Sequence, residues 1–153
     1  MPQISDDRIK HMHAVAEYMY ANAAKYGLAD IKEQLYVTGL LHDVGACRSK
    51  EKHAEHGYDI LRIMSLSEKY LRTIHYHSMS PTEYCKYHGI TPAQVPVIQI
   101  LMWDADMHFG PDGTYMTLDE CAAQRTAAWK ALGKDVDMSD VVNFLKTYGK
   151  CTE

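Results

Sequence analysis

The chain has 153 residues, 46% hydrophobic and 24% charged, the size and balance of one globular domain able to bury its own core. A formal net charge of −4 with no basic stripe argues against a surface built on nucleic-acid phosphates, although a small anionic substrate needs only one local cation. No apolar run reaches the length of a membrane span and the first residues hold no signal-peptide core, so the expected compartment is the cytoplasm.

In chain order the punctuation reads as a series of helices. Asp6 is placed to cap a first helix running to about Tyr26 and stopped by Gly27. Asp30 with Glu33 three residues on has the form of a capping pair, opening a second helix that ends at His42-Asp43 with Gly45 as its C-terminal glycine. A third helix is predicted over Glu51 to Met64, and a fourth, capped by Ser65 or Ser67, to about His77. Ser80-Pro81-Thr82-Glu83 combines a cap, a proline at the first helical position and a capping glutamate, opening a short helix that stops near Gly89. After a restart at Thr91-Pro92, the stretch from Pro96 to Met107 is apolar almost all round, as a central buried helix is. Gly110 to Gly113 reads as a turn, Thr117 with Glu120 starts a helix to Leu132, and Ser139 starts the last. Strand-type alternation is missing, and so are repeats and linkers. The expected fold is one all-α domain of about six to eight helices, with a core over about 8–107 and C-terminal helices within 117–148.

Four cysteines without a CxxC pair (Cys47, Cys85, Cys121 and Cys151) read as reduced thiols in or near a core. The unusual count is histidine, nine in the chain and dispersed rather than clustered as a tag. Leu40-Leu41-His42-Asp43-Val44-Gly45 puts an imidazole nitrogen and a carboxylate oxygen side by side at a helix end, where both can reach one ion, and Gly39 one turn earlier leaves room for a close approach. Alone, such a pair is most often a surface or capping feature. Four further polar residues sit on apolar faces: His11 with Val15, Tyr18 and Met19; His53 with Gly57, Ile60 and Met64; His77 with Tyr70 and Ile74; Asp106 beside Met102 and Trp103. A backbone carbonyl can satisfy one buried histidine, but a carboxylate at the end of an apolar helix needs a cation or donors. Together these positions point to a metal cluster.

Arg8-x-x-His11 with Val15-Ala16, then Gly39 to Gly45, then Asp104-Ala105-Asp106, resemble the HD-domain superfamily of metal-dependent phosphohydrolases over about residues 8–107. The resemblance implies that His11, His42, Asp43 and Asp106 hold one divalent transition metal. His53-x-x-x-Gly57 and Tyr76-His77 resemble the two-metal branch, in which two further histidines hold a second ion and Asp43, the catalytic residue, bridges both. Imidazole-rich ligation favours iron or manganese, with zinc, nickel, cobalt or magnesium as alternatives.

Rivals stay open at several positions. His13 faces away from His11, His56 and His75 stand in if the register shifts by a turn, and Asp104 competes with Asp106. His88 and His108 fall near turns and are expected to be solvated, with His108 at most edging the cavity. Arg8, Arg48, Lys50 and Lys52 are candidate phosphate contacts, of which Arg48 and Lys52 lie within a short loop of the doublet. The leading expectation is a hydrolase releasing phosphate from a nucleotide or another small phosphorylated metabolite, for which no covalent serine or cysteine nucleophile is needed. A di-iron oxygenase of the same superfamily, acting on a small phosphonate or polyol, is the competing enzyme; Pro81 stands where that branch commonly has a lysine. A sensory module with a vestigial site is the third reading.

Overall fold

A computed structural model describes residues 3–151. These fold into eight α-helices: α1 (Asp6–Asn22), α2 (Lys32–Leu41), α3 (His53–Arg62), α4 (Glu68–His75), α5 (Pro81–His88), α6 (Val97–Asp106), α7 (Leu118–Ala131) and α8 (Ser139–Tyr148). Short 3-10 turns link several of them. The described residues contain no strand beyond a single bridge between Phe109 and Tyr115, so the all-α expectation holds. None of their helices is long and apolar enough to cross a membrane.

Local chemistry accounts for several helix ends. Ser80 and Glu83 form a reciprocal capping box with Pro81 inside it, and Thr117 and Glu120 form another at the start of α7. Gly27, at φ +71°, stops the chain after the 3-10 turn that extends α1. Three expectations need correction. Ser5, not Asp6, caps α1, leaving Asp6 and Asp7 as first-turn acids favoured by the helix dipole. Asp30 caps nothing: it lies within a 3-10 turn, and Ile31 precedes α2 without a side-chain cap. Helices α3 and α4 are shorter than predicted, so His77 falls in the turn just beyond α4.

The main core surrounds α6, where Leu101, Met102 and Ala105 are fully buried against Val15 and Met19 of α1, Leu35 of α2, and Val142 and Leu145 of α8. A smaller cluster of Leu61, Leu71 and Ile74 joins α3 to α4. Two glycines allow the approaches that shape the site. A Cβ on Gly39 would lie 2.8 Å from the Ala16 Cα, so α1 and α2 cross backbone to backbone there. Gly45 is not the left-handed helix terminator expected, since its φ is not positive. Instead a Cβ there would run into the His53 carbonyl and the Gly57 amide, so the turn after the His-Asp doublet seats directly on α3.

Candidate metal centre

Five segments converge on one buried point. His11 comes from α1, His42 and Asp43 from the end of α2, His53 from the first residue of α3, His77 from the turn after α4, and Asp106 from the last residue of α6. His11, His42, Asp43, His77 and Asp106 are buried, and the His53 side chain is 20% exposed.

The ring orientations follow from backbone carbonyls. His11 Nδ1 lies 2.9 Å from the Gly110 oxygen, His42 Nδ1 2.7 Å from that of Gly39, His53 Nδ1 2.8 Å from that of Lys50, and His77 Nδ1 2.7 Å from that of Ile74. A carbonyl only accepts, so each ring carries a proton on Nδ1 and turns Nε2 to the centre, where the neutral ring presents a lone pair. Orientation by such an outer hydrogen bond is the usual support of a metal-binding imidazole.

Asp43 divides the cluster. Its Oδ2 lies 3.4 Å from His42 Nε2 and 3.8 Å from His11 Nε2, on the side where Asp106 Oδ1 stands 3.0 Å from His11 Nε2 and 3.5 Å from His42 Nε2. Its Oδ1 lies 3.2 Å from His53 Nε2 and 3.3 Å from His77 Nε2. The two latter nitrogens are 3.0 Å apart, two lone pairs face to face unless one ring takes a second proton or a cation lies near both. His42 Nε2 is buried without any hydrogen-bond partner. An orphaned buried acceptor among carboxylates is costly without a cation, so this donor set fits a metal. The groupings His11, His42, Asp106 and His42, Asp43, His77 each bring three ligand atoms within 4.8 Å of one another.

The charges are consistent with that. Burial alone would raise the Asp43 carboxyl, but His42, His77 and Arg8 outweigh it and hold it well below the usual carboxylate range. Asp106 is likewise held low, its burial outweighed by Arg125, His11 and His42. Burial would lower His11, yet Asp106 and Asp43 reverse the sign and leave it raised. His53 is lowered, by burial and by the neighbouring His77.

The other candidates separate cleanly. His13 is exposed, and of the two histidines on α3 it is His53 whose Nε2 lies 3.2 Å from Asp43 Oδ1. His75 stacks between Tyr58 and Tyr76, and His88 packs on Tyr84 at the surface. His108 is not solvated as expected: it is 1% exposed, stacked between Tyr18 and Tyr115. Asp104 turns away from the cluster to Tyr26, whose hydroxyl donates to it at 2.6 Å. Arg8 ion-pairs with Asp43 Oδ2 at 2.5 Å, its side chain 31% exposed, while Arg48 and Lys52 are exposed on the following loop.

Two neighbours escaped the sequence reading. Ser78 Oγ lies 3.0 Å from His53 Nε2, and nothing in the sequence marks it beyond following His77. Arg125 of α7 holds Asp106 through both carboxylate oxygens. A signal existed for Arg125, because it falls seven residues after Leu118 and four after Cys121, on the stripe α7 buries.

With this geometry in view, the comparison with known families is direct: the HD domain model matches residues 8–123. The chain therefore belongs to the HD-domain family, with a buried histidine-aspartate cluster able to hold a metal. No curated protein and no solved structure matches it.

Proposed function

We propose that the protein is a metal-dependent phosphohydrolase acting on a nucleotide or another small phosphate ester, with the whole chain working as one domain. The observation that carries the reading is the inward turn of four Nε2 atoms, each ring locked by a carbonyl on Nδ1, around two carboxylates. His11, His42, Asp43 and Asp106 would hold one divalent ion, and Asp43, His53 and His77 a second, with Asp43 between them. Iron and manganese suit this shell best; zinc, nickel, cobalt or magnesium are the alternatives to test. When bound, such ions supply Lewis acidity toward a phosphoryl oxygen and toward water.

The chain's own groups do the rest. Asp43 stays ionised and keeps one oxygen on each side of the cluster. Arg8, partly exposed and already beside Asp43, is the cation placed to bind a phosphate oxygen and to stabilise charge that grows there in the transition state. Arg48 and Lys52 draw an anionic substrate toward the rim without touching the cluster. Ser78, exposed and hydrogen-bonded at His53, orients a polar group at the mouth.

The test is anaerobic. Manganese-loaded protein incubated with nucleotides and sugar phosphates is expected to release phosphate without oxygen, because Lewis-acid chemistry needs no change of oxidation state. Silence there, with oxygen consumption by iron-loaded protein on a phosphonate or polyol, would replace the hydrolase by the oxygenase. The proline at position 81, buried as the first residue of α5, leaves that branch without its usual lysine.

A further inference from the structure

The family match ends at residue 123, yet one contact to the centre comes from beyond it. Arg125 donates from Nη1 to Asp106 Oδ2 at 3.2 Å, and from Nη2 to Asp106 Oδ1 at 3.2 Å and to the Asp106 carbonyl at 2.6 Å. The carbonyl bond satisfies an acceptor left over at the C-terminal end of α6, where a cation is also favoured by the helix dipole. The two carboxylate bonds fix the rotation of the side chain. A carboxylate on a helix end can turn about two torsions; a planar guanidinium that grips both its oxygens and its own carbonyl removes that freedom.

We infer that Arg125 is a positioning residue that extends the metal centre into α7, holding Asp106 so that one oxygen, Oδ1, faces His11 and His42. Oδ1 stands 3.0 Å from His11 Nε2 and 3.5 Å from His42 Nε2. Oδ2 is turned to Arg125 and Oδ1 is shared between Arg125 and the two histidines, so Asp106 offers the centre a single oxygen. Arg8 also pairs with a carboxylate of the cluster, but through one nitrogen to one oxygen of Asp43, and it comes from the matched segment and is half-buried at the rim. Arg125 reaches its carboxylate from the opposite end of the chain. Lysine would keep the charge and lose the fork.

The inference rests on the metal reading above. Its test is titration of metal-stripped full-length protein with manganese, followed by the loss of the free-ion paramagnetic signal, and with cobalt, whose visible spectrum reports coordination number. Removing an outer partner of a metal ligand typically weakens binding about 10–100-fold, and that loss is expected for Arg125→Met at one site, with the site at His53 and His77 little changed. Arg125→Lys is expected to fold, to bind more tightly than Arg125→Met, and to show an altered cobalt spectrum because Asp106 can rotate. Should Arg125→Met fail to fold, the lysine variant decides alone. Wild-type affinity and an unchanged cobalt spectrum in either folded variant would overturn the inference and leave Arg125 as a helix cap. Wild-type protein that binds neither ion would overturn the metal reading and this inference with it, an outcome visible before any variant is made.

Discussion

Asp104 and Asp106 lie two residues apart on α6, are both buried, and do opposite things. Asp104 is met by hydroxyls on Oδ2, where Tyr26 donates at 2.6 Å and Tyr18 at 3.4 Å, while its Oδ1, 3.2 Å from His108 Nδ1, is buried without a hydrogen bond among the described residues. Burial and the neighbouring Asp104 push both tyrosine hydroxyls far above their ordinary range, so they remain donors. Asp106 is met on one side by Arg125 and on the other by His11 and His42, which turn their Nε2 atoms to its Oδ1. Burial is common to the two residues and therefore marks neither as a site. The partners do: tyrosine hydroxyls on Asp104 Oδ2 make a structural anchor, whereas the ring nitrogens that meet Asp106 Oδ1 can each offer a lone pair and leave room for a cation.

The largest effect expected is at the residue shared by both halves of the cluster. Asp43→Ala should lose both ions, read by elemental analysis of protein purified without chelator; a variant that keeps either one shows that Asp43 is not shared. Next comes the comparison itself. Asp106→Asn should lose the ion on the His11 and His42 side, whereas Asp104→Asn should retain wild-type metal content and lose about 1–3 kcal/mol of stability in thermal unfolding. Equal metal loss in the two variants would erase the distinction. His53→Ala and His77→Ala should each remove only the binding step on the Oδ1 side of Asp43 in a manganese titration, and loss of both steps would join the two halves into one site.

A smaller effect is expected from pH in chelator-treated protein. Asp43 and Asp106 are held below their unfolded values, so the stability they contribute is present above about pH 4 and lost as pH falls through their lowered values. His11 is raised, so its contribution is full below about pH 6.5 and disappears as pH rises through its folded value. Melting temperature against pH should therefore decline on the alkaline side in wild type and decline less in His11→Gln; identical slopes would remove the His11–Asp106 pair from the account. The smallest effect is none: His13→Ala, on the exposed face of α1, should leave metal content unchanged.

Much of this was legible in the residues because it depends on local rules. The capping boxes at Ser80 and Thr117, the stop at Gly27 and the apolar run of α6 involve neighbours within a turn, and so the helices could be placed from spacing alone. Four of the cluster positions, His11, His53, His77 and Asp106, were legible for a related reason, since a polar side chain on an apolar face must find a partner inside, and His42 and Asp43 stood out as an adjacent pair of ligand types. Tertiary structure decided what helical periodicity does not encode. Whether a buried acid meets a hydroxyl or an imidazole depends on residues far along the chain, as Tyr26 for Asp104 and His11 for Asp106 show. Gly45 could be read as a helix stop only until α3 was seen to lie against it. His108 looked like a turn residue until Tyr18 and Tyr115 closed over it. Arg125 lay on the buried stripe of α7, but only the packing of α7 against the end of α6 gave its charge a partner, because an ion pair is fixed by distance in space and not by distance in sequence.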